Sequence, residues 1–217
     1  MGIYTEKGVN YSGAGVLILE DYYRKDGMIV PCIVLVKNRA LDLYTDFGGI
    51  YETKHGSLQQ TASSELREES RNLLNISPHL LTTKIDIPAF NDHHYREYVL
   101  KINGINRKSF LHNCHVIDDY KNNGSYVPRS WLETNDIAHI PIDSIDFDLL
   151  NKRGTITLRD VINRQIVLDG RVKKVLRTGH NTIINMLSQI PMARHRDMKM
   201  YKSTDWTNKT YSYVVKN

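Results

Sequence analysis

The chain has 217 residues, with 29 Lys and Arg against 24 Asp and Glu, a formal net charge of +5 and 41% hydrophobic residues. That length suits one domain, or one domain with an extension, and the apolar content is ample for a core; no run approaches the ~18 consecutive apolar residues of a membrane span. Cys32 and Cys114 form neither a disulfide framework nor a zinc spacing, and the opening MGIYTEKGVNYSG lacks the basic and apolar regions of a signal peptide, so a reducing, cytoplasmic setting is expected.

In chain order, Ala14 to Leu19 reads as a strand. Glu20 to Gly27 reads as a hairpin connection, and Met28 to Lys37 as a second strand with Pro31 marking an edge or bulge. Asp42 to Phe47 is a short strand running into a Gly48-Gly49 turn. A helix then starts at Ser57, where Ser-x-x-Gln to Gln60 has the form of a capping box. Leu58, Ala62, Leu66, Leu73 and Leu74 form its apolar stripe. Glu65, Glu68 and Glu69 lie beside that stripe, on an exposed face turned to a cleft. Positions i, i+3 and i+4 share one face, so these carboxylates repel unless positive charge sits among them. A hard divalent cation such as Mg²⁺, which takes oxygen ligands, suits that position.

Further along, Leu80 to Ile87 and Tyr95 to Ile102 read as strands, and Ser109 to Tyr120 as a helix. Trp131 to Ile140 leads into Pro141, and Thr155 to Leu158 with Gln165 to Leu168 suggests a hairpin around Asn163-Arg164. Arg171 to Ile190 reads as a closing helix with Gly179 a weak point inside it. Thr210 to Val215 is either an added strand or a disordered tail. Residues 1–190 are expected to form the main domain, and 191–217 a basic extension that could pack on it.

The stretch Gly49 to Leu73 resembles the Nudix box, G-x5-E-x7-R-E-U-x-E-E-x-G-U, with U a bulky aliphatic. Glu65, Leu66, Glu68 and Glu69 match its E-U-x-E-E part. The leading arginine is Ser64 and the trailing glycine is Arg71. The last aliphatic position is Asn72, with Leu73 next. Counting back, the box glycine falls on Ile50, one residue from Gly49, and the early glutamate falls on Gly56. Outside the box the resemblance covers Ser12 to Gln189 only as an order of strands and helices.

The resemblance implies an α/β fold, a Nudix-type α/β/α sandwich with a mixed sheet. It also implies Mg²⁺-dependent (or Mn²⁺-dependent) hydrolysis of a nucleoside diphosphate linked to another group. Glu69 would be the central metal ligand, with Glu65 and Glu68 sharing the others. Gly48 and Gly49 would approach the cofactor through their backbone, the Gly49 carbonyl as a ligand. Glu52 either contributes from the loop or is a solvated acid. Arg71, three residues after Glu68, either substitutes for the missing arginine or is a surface residue. Glu68 and Glu69 are catalytic by this reading, and Glu97, Glu133 and Asp136 are candidates for the general base. His93-His94 and His112 with His115 have a loose metal spacing, with phosphate contact as the alternative.

Substrate identity is open: a nucleotide, nucleotide sugar, dinucleotide or capped RNA. Tyr44, Phe47, Tyr51 and Tyr95 could stack on a base. The basic runs Arg171 to Arg177 and Arg194 to Lys202 fit RNA or another polyphosphate, or else a solvated helix face and a basic tail. A capped-RNA hydrolase, an RNA-binding protein and a catalytically weakened nucleotide-binding module are the alternatives. Oligomeric state is open, a dimer included, and no membrane partner is expected.

Overall fold

The computed structural model describes residues 2–88, 93–151, 154–189, 198–202 and 211–215, the last two segments by their backbone only. Its organising element is the long strand β2 (Val9–Tyr23), because both of its edges are paired. One edge runs parallel to β8 (His93–Lys101), with Val16 opposite Tyr98. The other meets, in succession, β1 (Tyr4–Glu6), β5 (Phe47–Ile50) and β3 (Ile29–Asn38), all antiparallel. Strand β3 carries β4 (Tyr44–Thr45) and β9 (Thr134–Pro141), and β7 (Lys84–Pro88) closes the far side against β8. The sheet is therefore mixed, its parallel pair lying at the centre.

Alternation along β2 sorts its side chains onto two faces. Val16 and Ile18 pack with Leu58, Ala62 and Leu66 of α1 (Leu58–Glu69) and with Phe110 and Cys114 of α2 (Arg107–Asn122). Leu17 and Leu19 pack with Val172, Val175, Leu176 and Ile183 of α3 (Gly170–Leu187). The result is the expected α/β/α sandwich. Among the described residues no helix is long and apolar enough to cross a membrane.

Several elements depart from the sequence reading. Strand β2 continues through Glu20 to Tyr23, and the turn that follows uses Gly27 at φ 82. Pro31 lies one residue beyond the last β3–β9 pair, Cys32 with Pro141, so its missing N–H leaves no ladder bond unmade there. Gly48-Gly49 is not a turn. Both glycines lie in β5, opposite Gly15 and Ala14. They are required by space: a Cβ on Gly48 would overlap the Tyr95 hydroxyl and lie 2.5 Å from the Gly15 Cα, and one on Gly49 would overlap the Glu65 carboxylate. Gly179 is a packing site, because a Cβ there would overlap Ile85 of β7.

Helix α1 begins as its sequence suggests, with the Gln60 N–H donating to Ser57 Oγ at 3.1 Å. It ends earlier than the apolar stripe implies, at Glu69. Arg71 and Asn72 turn the chain with φ of 54 and 62, and Leu74–Asn75 forms the short strand β6. Arg71 is not a surface residue, and its guanidinium bonds Thr134 rather than the Glu68 carboxylate. It is fully buried, its Nε donating to the Thr134 carbonyl at 3.0 Å, while its own carbonyl accepts from Asn113 Nδ2 at 2.8 Å. These bonds offset the strain of a left-handed non-glycine residue, ~1–2 kcal/mol.

After the hairpin of β10 (Thr157–Arg159) and β11 (Gln165–Val167) and helix α3, the chain adds β12 (Met198–Lys202) and β13 (Tyr211–Val215). Strand β13 runs parallel to β6, with Tyr213 opposite Leu74. Of the two expectations for Thr210 to Val215, the added strand is the one found. Arg194 and Arg196 lie outside the described residues.

Replacing Arg71 removes a buried cation together with the bonds that fix the end of α1. Arg71→Ala should lower unfolding stability by about 3 kcal/mol. A denaturant titration showing a midpoint equal to that of the parent chain would contradict this account.

Candidate functional site

The end of α1, strand β5 and the start of α3 meet at a cleft of about 270 Å³ whose walls include Gly48, Glu69, Glu133, Asp169 and Arg171. Glu69 is buried, not exposed as the helix pattern suggests. Its Oε2 accepts the Gly48 N–H at 2.6 Å, and the Thr134 hydroxyl donates to its main-chain carbonyl at 2.6 Å. Glu69 is thus held at both ends, by β5 and by β9. Glu65, one turn earlier, rests against Gly49. Glu68 is half-buried, and its charge acts on Glu65.

Behind Glu69 lies an acid pair: Glu97, one of the general-base candidates from the sequence, and Asp46, which sequence patterns do not pick out. Asp46, between β4 and β5, is fully buried beside Glu97 of β8. Arg171, in the first turn of α3, donates from Nε to Asp46 Oδ1 at 2.8 Å and from NH2 to the Gly48 carbonyl and Thr45 Oγ1, each at 3.0 Å. Its guanidinium lies 5.0 Å from the Tyr95 ring centroid, and the Tyr95 hydroxyl reaches Asp46 Oδ2 at 3.4 Å. Asp169, just before α3, caps the helix by accepting the Arg171 N–H at 2.7 Å, which fixes where the arginine starts. About a third of the Arg171 side chain, 31%, reaches the cleft.

Charge in this cluster is unbalanced. Burial, then the neighbouring charges of Glu68 and Glu133, pushes the Glu65 carboxyl up to about 7. Burial also holds Glu69 well above the usual carboxylate range; Arg171 opposes this, and Glu65 and Asp46 reinforce it. Glu97 is raised by burial and by the charge of Asp46. Burial would raise Asp46 as well, but the Arg171 charge and the hydrogen bonds from Thr45 and Arg171 hold it below its ordinary value. Burial thus favours the protonated form of Glu97, and the guanidinium favours the ionised form of Asp46. Among the described residues neither Glu97 carboxyl oxygen has a hydrogen-bond partner.

The structure thus brings together Gly48, Gly49, Glu65, Glu69 and Glu97, with Glu68 beside them and Glu133 exposed at the mouth. Glu52 stands apart, exposed and paired with Lys54. Asp136 is committed elsewhere, to Arg107 at 2.7 Å, to Arg164 and to the Tyr44 hydroxyl at 3.0 Å. Burial opposes but does not overcome those bonds, which keep its carboxyl low. His115 pairs with Asp119 on an exposed helix face. Among the described residues no three His, Cys, Asp or Glu side chains already converge as a chelating set. The oxygens of Glu65, Glu68 and Glu69 are nevertheless the donor type a hard divalent cation takes, and their mutual repulsion is what such a cation relieves.

No protein-family model and no curated protein matches the chain. Solved structures do. A MutT/nudix family protein from Enterococcus faecalis aligns over 85% of this chain and 65% of its own, with 10% identity and a TM-score of 0.47. A C. elegans Ap4A hydrolase in a binary complex aligns over 60% of this chain and 80% of its own, with 13% identity and a TM-score of 0.37. A Nudix hydrolase from M. smegmatis aligns over 46% and 68%, with 13% identity and a TM-score of 0.31. The chain is similar to Nudix hydrolases. Likeness of this order extends to part of the fold and says nothing of activity.

The raised carboxyls have a consequence for stability. Glu65 moves from 4.5 to about 7 on folding, so its contribution is fully present below 4.5 and lost as pH rises through 7. The metal-free chain should therefore melt at a lower temperature at about pH 8 than at about pH 5, and Glu65→Gln should flatten part of that fall. Thermal melts that rise steadily over this range, in parent and variant alike, would contradict the assignment.

Proposed function

We propose that the chain is a Nudix-type, Mg²⁺- or Mn²⁺-dependent pyrophosphohydrolase acting on a nucleoside diphosphate linked to another group. The observation that carries this reading is the cluster of Glu65, Glu69 and Glu97, raised by burial beside a glycine strand, with Arg171 set among them. Buried acids with strongly shifted protonation at a cleft are a mark of a working site. Glu65, Glu68 and Glu69 would hold the cation. When bound, it supplies charge neutralisation on phosphate oxygens and a more acidic water.

The chain's own residues divide the remaining work. Glu133, at the mouth of the cleft, would accept a proton from water there, whereas Glu97 has no surface exposed. Glu97 instead closes the buried end of the cluster, and Asp46 orients Arg171. Arg171 supplies from α3 the positive charge that the box, with Ser64, does not carry. Its cleft-exposed part is available to a phosphate oxygen, where a planar guanidinium binds well. The RNA alternative rests on the charge of residues 191–217, whose side chains lie outside the described residues.

A panel of ADP-ribose, diadenosine polyphosphates, NADH, nucleotide sugars, nucleoside triphosphates, diphosphoinositol phosphates and capped RNA, each with Mg²⁺ or Mn²⁺, tests the reading and finds the substrate. On the best substrate Glu69→Gln should lower kcat/KM by at least about 100-fold, roughly 2.7 kcal/mol. Stability should change little, because glutamine keeps an acceptor for the Gly48 N–H. Metal-independent turnover, or full activity in the variant, would sink the proposal. Tight nucleotide binding with no turnover would favour the binding-module alternative.

A further inference from the structure

The cleft that holds Glu69 and Arg171 also has an apolar side. Leu41 and Leu43, on the connection from β3 to β4, line the same space of about 270 Å³. Every other described side chain lining it is polar. Leu41 is 62% exposed and Leu43 is half-buried. A leucine scattered on an open surface needs no explanation. This one stands in a cleft beside charged groups, where a ligand must touch it.

The connection is built to hold still. Asn38 organises it: its Oδ1 accepts the N–H groups of Ala40 and Leu41, each at 3.0 Å. The Asn38 N–H donates to the Leu43 carbonyl at 2.8 Å, and its carbonyl accepts the Asp42 N–H at 3.0 Å. Asp42 takes the left-handed φ of 59 that an aspartate tolerates, and it pairs with Lys37 at 2.5 Å. The Arg39 N–H donates to the Glu133 carbonyl at 2.7 Å. Its guanidinium forks onto Asp118 of α2 at 2.6 and 3.3 Å. Asp118 also lies 3.7 Å from the Arg71 guanidinium, so the connection shares an anchor with the turn that ends α1. A ligand that rests on Leu41 therefore has little loop motion to arrest.

The chemistry of that ligand group follows from what two leucines can and cannot do. A phosphate laid on aliphatic carbon gives up water for nothing, and Arg171 draws it elsewhere in the cleft. A hexose would leave hydroxyls without partners there. A nucleobase presents a flat face with its polar atoms at the edge, and aliphatic carbon covers such a face well. The aromatic residues that the sequence offers for a base are not available, because Tyr44, Phe47, Tyr51 and Tyr95 are 8% exposed or less. The cleft is also small, just below the ~300 Å³ at which ligand pockets begin, which suits the phosphates and one adjoining group.

We propose that Leu41, with Leu43, is the contact for the nucleobase of the nucleoside diphosphate. This rests on the reading that Arg171 and a carboxylate-held cation take the diphosphate in the same cleft. It adds which half of the substrate enters: the nucleoside lies toward the β3–β4 connection, and the second group extends outside.

Isothermal titration of the full chain with ADP, GDP, CDP and UDP in excess Mg²⁺ tests this, beside ribose 5-diphosphate, which lacks only the base. At least one nucleotide should bind more tightly than the base-free compound. Leu41→Ser should weaken that nucleotide about fivefold, as expected for one partly covered aliphatic side chain, and leave ribose 5-diphosphate unchanged. Leu41→Met, which keeps the apolar surface, should bind like the parent. The Leu41 side chain is exposed and its bond to Asn38 is made by the main chain, so both variants should melt with the parent. The proposal is overturned if no nucleotide binds at millimolar concentration, or if the base-free compound binds as well as every nucleotide. It is equally overturned if Leu41→Ser weakens both ligands alike or neither. Binding needs no turnover, so the two readings separate. Base-dependent binding by a chain that hydrolyses nothing in the panel sinks the hydrolase and leaves this contact standing. Turnover that requires Glu69 and is indifferent to Leu41 does the reverse.

Discussion

The contact of Arg171 with Asp46, at 2.8 Å, is the constraint on which the site depends. Asp46, Glu65, Glu69 and Glu97 crowd the inner end of the cleft, and this guanidinium is the cation set among them. A single positive charge cannot satisfy three buried carboxyls and the half-buried Glu65, so burial and mutual repulsion raise Glu65, Glu69 and Glu97. Arg171 separates the two acids: Asp46, which it touches, is held below its ordinary value, and Glu97, behind it, is raised by burial. The same guanidinium binds the Gly48 carbonyl while Glu69 accepts the Gly48 N–H. One residue of β5, Gly48, is thus clamped between helix α3 on one face of the sheet and helix α1 on the other.

That clamp works only because the backbone can come close. Gly15, Gly48 and Gly49 leave room where side chains would collide with Tyr95, Asp46 or Glu65. The far end of α1 is fixed by a different device. Arg71 turns the chain in a left-handed conformation and bonds Thr134, whose hydroxyl returns to the carbonyl of Glu69. Glu69 is therefore positioned by β5 through its carboxylate and by β9 through its backbone. A side chain held in this way loses little freedom when it meets a ligand, which is what preorganisation requires.

How much of this was legible in the sequence follows from the range of each interaction. Local signals were readable: the Ser57 cap, the Leu58, Ala62 and Leu66 stripe, the apolar runs of the central strands, and the order of strand, glycines and helix. The glutamates of α1 could be grouped because four residues of helix bring them together. Asp46 and Arg171 are 125 residues apart, and no local pattern links them. Arg171 opens a basic run that also reads as a solvated helix face, and Asp46 looks like an ordinary acid before a turn. The Gly48-Gly49 pair carries the usual mark of a turn, yet it serves close packing inside a strand, which only the position of Tyr95 reveals. Arg71 misleads for a related reason: a helical count places it beside Glu68, but the helix has already ended.

The acid cluster also bears on why such an arrangement persists. Raised carboxyls mean that the folded, metal-free chain resists ionisation that the unfolded chain accepts, so neutral pH works against the fold. A natural sequence relieves such frustration readily when nothing depends on it, for example by replacing Glu65 or Glu97 with an apolar residue. Retaining these acids around one arginine is consistent with a site that is completed by added positive charge. Binding a cation to the folded state alone would restore the lost stability by mass action. Under the proposed reading, fold stability and metal occupancy would be linked through the same carboxylates, with a strength set by how far burial raises them.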